Sequence, residues 1–423
     1  MLGLKFIREN SNLVRESLKN RNTNLNIDNV LDLDEKRRVL IKEVDDLRFK
    51  HNKENKEVPG LKKRGENIEV KLKELKELSN DISSKEKLLR EIEDELKVLL
   101  LNIPNIPHDS VPVGLDASFN EVIREWGETK DFKFNPKTHI EIGEKLDIID
   151  FSRATKISGS NFILFKGLGA RLVRALMNFM LDLHTQKHGY KEVWPPLLVN
   201  RDSMTATGQL PKLEDDMYKL EGEDYFLIPT AEVPVTNIHR NEILNEDDLP
   251  IYYTAYTPCF RKEAGSYGKD TKGLVRVHQF DKVEMVKFTT PESSWDEHEK
   301  LTKDAEEVLQ LLGLKYRVVA LSTGDLSFAA SKCYDLEAWA PGLERWLEVS
   351  SCSNFTDFQA RRANIKMKKK DGSLTYVHTL NGSGLAFARV IVCLIENFQQ
   401  KDGSVSIPDV LYPYIREIDR KIF

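Results

Sequence analysis

The sequence has 423 residues, enough for two or three domains and a large buried core. With 40% hydrophobic and 31% charged residues, its composition is that of an ordinary globular protein and excludes a fibrous or disordered chain. The formal net charge of −5 excludes nucleic-acid binding through overall positive charge, so any such binding must use a local basic surface.

The cysteines and the N-terminal residues indicate the cellular compartment of the protein. Cys259, Cys333, Cys352 and Cys393 stand far apart and form no CxxC pair, so we expect single thiols in a reducing environment. The start, Met1-Leu-Gly-Leu-Lys-Phe-Ile-Arg, becomes charged at once and is unlike a signal peptide. No apolar run approaches the ~18 residues of a membrane span. We therefore expect a cytoplasmic protein without membrane contact.

Heptad spacing predicts two helices in the first hundred or so residues. The first is a helix of roughly 25 residues that Pro59-Gly60 ends; its leucines recur every seven residues, at Leu33, Leu40 and Leu47. The second keeps one register and ends before Pro104; its positions are Ile68, Leu75, Ile82, Leu89, Leu96 and Ile103. Each heptad of this helix has a second position on the seam, and two of those positions are occupied by lysine, Lys71 and Lys85, instead of an apolar residue. The pair is typical of an antiparallel coiled-coil hairpin projecting roughly 40–50 Å.

The far end of this hairpin is basic. Glu54 and Glu57 face a larger set of cations: Arg48, Lys50, Lys53, Lys56, Lys62, Lys63 and Arg64. A long arm with a basic end can reach a phosphate backbone far from the main body. Charge alone leaves open a solvated hairpin that only holds a partner subunit. We place a domain boundary after this arm, giving domains 1–106 and 107–423.

The second domain mixes helices and extended segments. Residues 170–183 form an amphipathic pattern, and the proline-interrupted segment 192–199 is expected at a sheet edge or interface. Further extended runs are 251–257, 275–288, 316–321, 333–339 and 346–350. Because no regular βαβ alternation connects them, we expect an α+β fold, a mostly antiparallel sheet flanked by helices.

The densest polar pattern is a predicted hairpin. Phe260-Arg261-Lys262-Glu263 leads into a polar, glycine-containing loop and then a returning strand. Every second residue of that strand lies on the same face, and those residues are Arg276, His278, Phe280, Lys282 and Glu284. Arginines grip phosphate or carboxylate and a phenyl ring stacks on a base, so this face suits a nucleotide. The residues alone leave open a charged hairpin that faces solvent.

This hairpin resembles motif 2 of the class II aminoacyl-tRNA synthetases. The segment around Trp194-Pro195-Pro196 resembles motif 1, the dimer-interface element, and Gly384-Leu-Ala-Phe-Ala-Arg389 resembles motif 3, with fewer glycines than the commonest form. Ile228-Pro-Thr-Ala-Glu232, Ser322-Thr-Gly-Asp325 and residues 348–362 are similar to the seryl-tRNA synthetases in particular. The resemblance runs from Met1 to about Pro413.

The resemblance implies an activity and its partners. The expected reaction is ATP-dependent ligation of L-serine to tRNA(Ser) through a seryl-adenylate, with release of AMP and pyrophosphate. A homodimer is implied, and tRNA(Sec) is a further substrate where the cell has it. A ligase that loads a carrier protein is an alternative, but such relatives lack the arm. A non-catalytic relative is another, but it should have lost motif residues that this chain keeps.

The resemblance also implies roles for single residues. The catalytic residues are Arg261, Glu263 and Arg389. Serine is bound by Thr230, Ala231, Glu232, Arg261, Glu284 and Ser383. ATP is bound by Arg261, Lys262, Glu263, Arg276, Val277, Phe280, Glu348, Val349, Ser350, Ser351 and Arg389. Glu348 and Ser351 hold Mg²⁺, and no zinc is expected. The seven basic residues of the arm tip bind tRNA, and His278 is expected to be structural.

Overall fold

The computed structural model describes residues 1–65, 67–264, 273–416 and 421–422. The chain forms two compact units. One comprises Leu2–Lys19 and Thr23–Pro104, and the other comprises Met1, Asn20–Asn22 and Asn105–Phe423. Among the described residues, none of the helices combines the length and the apolarity that crossing a membrane requires.

The smaller unit is helical, and its two long helices form a hairpin. The helices of this part of the chain are α1 (Leu4–Glu9), α2 (Ser11–Asn20), α3 (Asp28–Lys63) and α4 (Glu69–Leu101). The buried hydrophobic side chains of α3 and α4 are Val30, Leu40, Val44, Leu75, Ile92, Leu96 and Leu100, most of them in the half of the hairpin away from its tip. The predicted coiled-coil arm is therefore confirmed.

Cross-helix ion pairs fix the antiparallel register of the arm. Arg37 pairs with Glu93 at 2.9 Å near the base, and Lys85 pairs with Glu43 at 2.5 Å further out. The lysines that interrupt the heptad pattern thus find carboxylates across the seam, and Lys71 likewise lies 3.3 Å from Glu54. A long lysine stem can pack along the seam while its ammonium reaches a partner at the edge.

The prediction that Pro59-Gly60 ends the first helix is wrong. Helix α3 continues through both residues to Lys63 and has 36 residues instead of roughly 25. Proline lacks an N–H and crowds the preceding turn. At this exposed site near the end of the helix, however, water can bind the carbonyl that loses its partner.

The described residues of the larger unit form helices and four sheets. Its α-helices are α5 (His139–Lys145), α6 (Phe151–Ser158), α7 (Leu168–Gln186), α8 (Arg201–Thr207), α9 (Glu232–Thr236), α10 (Ser294–Leu311), α11 (Phe358–Ala363) and α12 (Phe387–Phe398). Its strands are β1 (Glu121–Trp126), β2 (Lys191–Glu192), β3 (Leu198–Asn200), β4 (Tyr225–Leu227), β5 (Ile243–Asn245), β6 (Ile251–Phe260), β7 (Gln279–Thr289), β8 (Tyr316–Ala320), β9 (Lys332–Ala340), β10 (Arg345–Asn354), β11 (Lys366–Lys368), β12 (Leu374–Tyr376), β13 (His378–Ala386), β14 (Val405–Ser406) and β15 (Lys421–Ile422). Short 3₁₀ turns include Glu214–Asp216.

The principal sheet has eight strands in the order β1-β8-β9-β10-β13-β7-β6-β2. Only the edge strand β2 pairs in parallel, with β6; the other neighbours are antiparallel. The predicted mostly antiparallel sheet is confirmed, and the proline-interrupted segment does begin at its edge. The returning strand of the predicted hairpin starts at Gln279 instead of Val275, and residues 265–272 of the intervening loop lie outside the described residues.

The two faces of the sheet have different neighbours. On β7, Val283 and Met285 point into the main hydrophobic core with side chains of α7, α10 and α12. Lys282 and Glu284 alternate with them and therefore point the other way, into a cavity. Packing on one face thus orients the polar side chains of the other.

Candidate active site

A cavity of about 450 Å³ opens on the sheet face away from the main core. It is lined by β7, β10, β13, the first turn of α12 and the loops beside them. Most of the predicted serine- and ATP-binding residues lie on its wall: Thr230, Glu232, Arg261, Glu263, Arg276, Val277, Phe280, Glu284, Glu348, Val349, Ser350, Ser351, Ser383 and Arg389.

Two predicted residues are not on the wall. Ala231 is fully buried and packs in a separate hydrophobic cluster under the turn that carries Thr230 and Glu232. Lys262 is exposed, and its Nζ lies 5.9 Å from the centre of the Tyr218 ring. His278, on the same predicted strand face, also stays out of the cavity. Its Nδ1 donates a hydrogen bond to the Arg261 carbonyl at 3.1 Å.

One end of the cavity is rich in buried carboxylates. Glu284 is 1% exposed and Glu232 is 7% exposed. Lys282 Nζ lies 2.5 Å from Glu284 Oε2 and donates to Thr230 Oγ1 at 2.8 Å. Gln359 Nε2 donates to Glu232 Oε1 at 2.6 Å. This end offers two carboxylates and a hydroxyl, the groups that bind an ammonium ion.

Different side chains contact the carboxylates of Glu284 and Glu232. Glu284 has the ammonium of Lys282 beside it, whereas the hydrogen bond to Glu232 comes from a neutral amide. Burial first, and the charge of Glu284 second, raise the pKa of Glu232 to about 7. Two carboxylates in one buried site resist simultaneous ionisation. Glu232 is therefore the group of this site that changes charge near neutral pH.

The opposite end combines arginines with an aromatic ring. The Arg261 guanidinium lies 5.3 Å from the centre of the Phe280 ring, and its Nε donates to the Pro229 carbonyl at 3.3 Å. Arg276 Nη1 donates to Glu263 Oε2 at 3.1 Å. Together they form a surface that suits a flat ring carrying phosphates.

Arg389 connects this end to β10. Its Nη1 donates to the Glu348 carbonyl oxygen at 2.8 Å and lies 3.2 Å from a carboxylate oxygen of the same residue. Arg389 sits in the first turn of α12, directly after β13. The strand-to-helix junction of the motif 3 segment thus places a cation at the cavity.

Two β-bulges shape the wall. The β9–β10 register shifts between Glu348 and Ser350, and all four residues from Glu348 to Ser351 line the cavity, although neighbours on a regular strand face opposite sides. A second shift separates Ser383 from Leu385 on β13. A Cβ on Gly384 would lie 2.5 Å from His184 Nε2, so this bulge requires glycine.

The oxygen donors on β10 fit a hard cation. Glu348 and Ser351 face the same cavity, and Asp335 is the cross-strand partner of Ser351. Burial first, and the charge of Glu348 second, raise the pKa of Asp335. Mg²⁺ is commonly held by one or two carboxylates and completed by phosphates and water. Within the described ranges, no group of three or more His, Cys, Asp or Glu side chains is placed to hold a metal ion.

Sequence reasoning missed several residues of the cavity and its support. Lys282 was on the predicted strand face, and its period-two spacing from Phe280 and Glu284 was a usable signal. Asp216 also lines the cavity, and Gln359 supports it from α11. Neither carries a local sequence signal, because each reaches the site through long-range packing.

Two family models match the chain. Residues 1–107 match the seryl-tRNA synthetase N-terminal domain. Residues 214–398 match the tRNA synthetase class II core domain of the G, H, P, S and T enzymes.

Individual proteins match over nearly the whole length of the chain. A serine–tRNA ligase of Carboxydothermus hydrogenoformans is 56% identical over 98% of both chains. A crystal structure of the Pyrococcus horikoshii seryl-tRNA synthetase complexed with ATP is 41% identical, with a TM-score of 0.93, and covers 100% of this chain and 99% of that one. A cytoplasmic serine–tRNA ligase from Naegleria fowleri in complex with AMP is 32% identical, with a TM-score of 0.87, over 98% of this chain and 97% of that one.

Proposed function

Because the chain belongs to the seryl-tRNA synthetase family and is a class II serine–tRNA ligase, we propose that it charges tRNA in two steps through a seryl-adenylate formed in the cavity. The observation that carries the proposal is the polarity of that cavity. Carboxylates line one end and arginines with a phenyl ring line the other. Serine and ATP need these two environments side by side.

Serine binds at the carboxylate end. Its ammonium is held by Glu284, Glu232 and the Thr230 hydroxyl, and Ser383 lies on the same wall for its hydroxyl. A buried site built to pair a hydroxyl rejects alanine, because its own polar groups would lose their partners. Ala231 supports this end from below, as its buried side chain packs under the turn.

ATP binds at the arginine end. Phe280 stacks on the adenine, Glu263 accepts from the adenine amino group, and the Val277 backbone lines the ring. Val349 and Ser350 line the nucleotide from β10. The predicted contribution of Lys262 must come from its backbone or from a different side-chain position, because its side chain is exposed outside the cavity.

The first step is an in-line attack of the serine carboxylate on the α-phosphate. A carboxylate is already ionised at neutral pH, so no general base is required. Arg261 holds the carboxylate and the α-phosphate together, while Arg276 and Arg389 neutralise the outer phosphates and the departing pyrophosphate. Catalysis is therefore positioning and charge stabilisation. Glu348 and Ser351 would hold Mg²⁺, which supplies further neutralisation of the phosphates when bound.

The arm binds tRNA. All seven basic residues of its tip are exposed, and an arm of this kind contacts RNA largely through backbone and shape. We extend the proposal to tRNA(Sec) where the cell has that tRNA, and to a homodimer, since the segment around Trp194 resembles motif 1, the dimer-interface element. The cytoplasm remains the expected location, because ribosomes consume the product there.

Isolation of the intermediate tests the two-step reaction. The enzyme is mixed with labelled serine and ATP without tRNA, and the complex is separated from free ligands by gel filtration. The expected complex carries serine and AMP in equal amounts, and it transfers the serine when tRNA(Ser) is added without ATP. Transfer that requires ATP in the second stage would contradict an adenylate intermediate.

Serine binding should depend on the ionisation of Glu232. Since its pKa is raised to about 7, Glu232 is neutral at pH 5.5 and mostly negative at pH 7.5, while the serine ammonium stays charged. The attraction therefore grows with pH, and the KM for serine in pyrophosphate exchange should fall by roughly five-fold across this range.

The matched control is Glu232→Gln, which keeps the shape of the side chain and cannot ionise. Its KM for serine should stay near the low-pH value of the wild type across the range, and its pH profile should be flat. A profile as steep as that of the wild type would assign the titration to another group.

Charge reversal at the arm tip should separate the two activities. The variant Lys62→Glu, Lys63→Glu, Arg64→Glu is expected to lower kcat/KM for tRNA charging by roughly a hundred-fold at ~0.1 M salt and to leave pyrophosphate exchange within two-fold. The control reverses three exposed cations on the stem of α4, Lys87, Arg90 and Lys97, and should retain charging. Equal loss of both activities in the tip variant would exclude the arm as the tRNA site.

The same assignment predicts a salt dependence. Each phosphate contact contributes a slope of roughly −0.7 to −0.9 to the logarithm of affinity against the logarithm of salt. tRNA affinity should therefore fall steeply with salt in the wild type, and the slope should shrink by about two to three in the tip variant. Pyrophosphate exchange without tRNA should change little over the same salt range.

A further inference from the structure

Glu263 has a backbone conformation that an L-residue rarely adopts. Its φ is +52°, in the left-handed region, where Cβ crowds the backbone and only glycine fits freely. Its side chain lines the cavity and accepts from Arg276. Left-handed non-glycine residues persist where the surrounding structure over-determines them, often at ligand sites.

Asp216 binds the chain on both sides of Glu263. The Asp216 carbonyl accepts from the backbone N–H of Lys262 at 2.9 Å. The Asp216 carboxylate Oδ1 accepts from the backbone N–H of Ala264 at 2.8 Å. One residue therefore holds the peptide group before Lys262 and the peptide group after Glu263, and the two bonds together restrict the backbone dihedral angles of these two residues.

The turn that carries Asp216 is itself fixed. Asp216 closes the 3₁₀ turn Glu214–Asp216, and Arg201 of α8 makes a two-pronged ion pair with Glu214, with N–O distances of 2.6 and 3.1 Å. Arg201 Nε also donates to Asp224 at 2.9 Å. Such a forked pair fixes geometry as well as position. Asp216 is thus a rigid anchor on the cavity wall.

We propose that Asp216 is a positioning residue for nucleotide selection: it holds Glu263 in the left-handed conformation that aims its carboxylate at the adenine amino group. The inference rests on the proposed role of Glu263 in ATP binding. Two residues then determine which base the site selects: Glu263 contacts the base, and Asp216 holds the backbone of Glu263. Asp216 itself lies outside motif 2, 44 residues before Phe260, where that motif begins.

Substitution of Asp216 can remove the hydrogen bond of its side chain and keep that of its backbone carbonyl. Asp216→Ala keeps the carbonyl bond to Lys262 and removes the side-chain bond to Ala264, which frees Glu263. Asp216→Asn keeps an Oδ1 acceptor for Ala264 and should behave like the wild type. Asp215→Ala removes the exposed acidic neighbour in the same turn and should have no effect.

The readout is the KM for ATP, the KM for serine and the preference for ATP over inosine triphosphate, whose position 6 carries a carbonyl instead of an amino group. Asp216→Ala should raise the KM for ATP and lower the preference for ATP, each by roughly five-fold, as for one lost hydrogen bond. The KM for serine should stay within two-fold. A merely structural role would raise both KM values together.

A double-mutant cycle with Glu263→Ala decides whether Asp216 acts through Glu263. In that background the carboxylate to be positioned is gone, so Asp216→Ala should add less than two-fold to the KM for ATP. Full additivity, an Asp216→Asn variant as impaired as Asp216→Ala, or a parallel rise in both KM values would each overturn the inference.

Direct nucleotide binding separates this inference from the proposed function. Calorimetric titration of ATP and inosine triphosphate into the same variants requires no serine and no turnover. A wild type that binds ATP but gives no serine-dependent exchange would refute the proposed reaction. An unchanged ATP preference in Asp216→Ala, in an enzyme that does exchange, would refute the role of Asp216 alone.

Discussion

Replacing Arg261 by alanine is expected to lower serine-dependent pyrophosphate exchange by roughly a thousand-fold. Arg261 reaches towards both ends of the cavity: its Nε donates to the Pro229 carbonyl, next to Thr230, and its guanidinium lies 5.3 Å from the centre of the Phe280 ring, which is proposed to stack on adenine. Its proposed task is to hold the attacking carboxylate and the α-phosphate together, where charge concentrates in the transition state. Neither substrate alone needs that bridge, so kcat should fall more than either KM rises.

Arg261→Lys tests the geometry of the bridge. A lysine keeps the charge but loses the planar fork that can bind two anionic groups, so it should recover only a small part of the lost rate. The control is Arg317→Ala, a half-buried arginine on β8 that pairs with Glu337 outside the cavity; its exchange rate should be nearly normal. Exchange by Arg261→Ala within ten-fold of wild type would remove Arg261 from the catalytic step.

Replacing Glu284 by glutamine is expected to raise the KM for serine by roughly a hundred-fold, with little change in the KM for ATP. Glu284 is the more deeply buried carboxylate of the cavity, and the ammonium of serine should bind it strongly because little water competes there. The same change also leaves Lys282 buried opposite a neutral amide. Removing one partner of a buried ion pair costs about 3–5 kcal/mol, so the melting temperature should fall as well.

A double variant separates recognition from stability. Lys282→Met with Glu284→Gln removes both charges, and replacement of a buried ion pair as a whole is often neutral for stability. The melting temperature should therefore return towards that of the wild type, whereas the KM for serine should stay high. Recovery of serine affinity together with stability would mean that Glu284 acts only as the partner of Lys282.

The sequence was most informative where the pattern is local and periodic. Heptad leucines and isoleucines predicted the arm, and the alternation through Phe280, Lys282 and Glu284 predicted a polar strand face, because both helices and strands repeat their side-chain directions at fixed intervals. The antiparallel α+β fold followed from the absence of βαβ units. The resemblance then named serine- and ATP-binding residues, and all of these but Ala231 and Lys262 line one cavity.

The features of the site that the sequence did not predict depend on departures from periodicity. The bulge between Glu348 and Ser350 turns consecutive residues towards one cavity, and a regular strand would have divided them between two faces. Gln359 and Asp216 enter through long-range packing, which no local spacing encodes. The prediction at Pro59 was wrong because a rule for helix interiors does not hold at an exposed site near the end of a helix.

Pyrophosphate exchange across the twenty amino acids, without tRNA, tests the central claim most directly. The cavity is proposed to activate serine on ATP by itself, so exchange should occur with serine, weakly at most with threonine, and not with alanine. Exchange with another amino acid ahead of serine would contradict the assignment of Thr230, Glu232 and Glu284 to the serine site. No exchange from folded enzyme that binds ATP would contradict adenylate formation altogether.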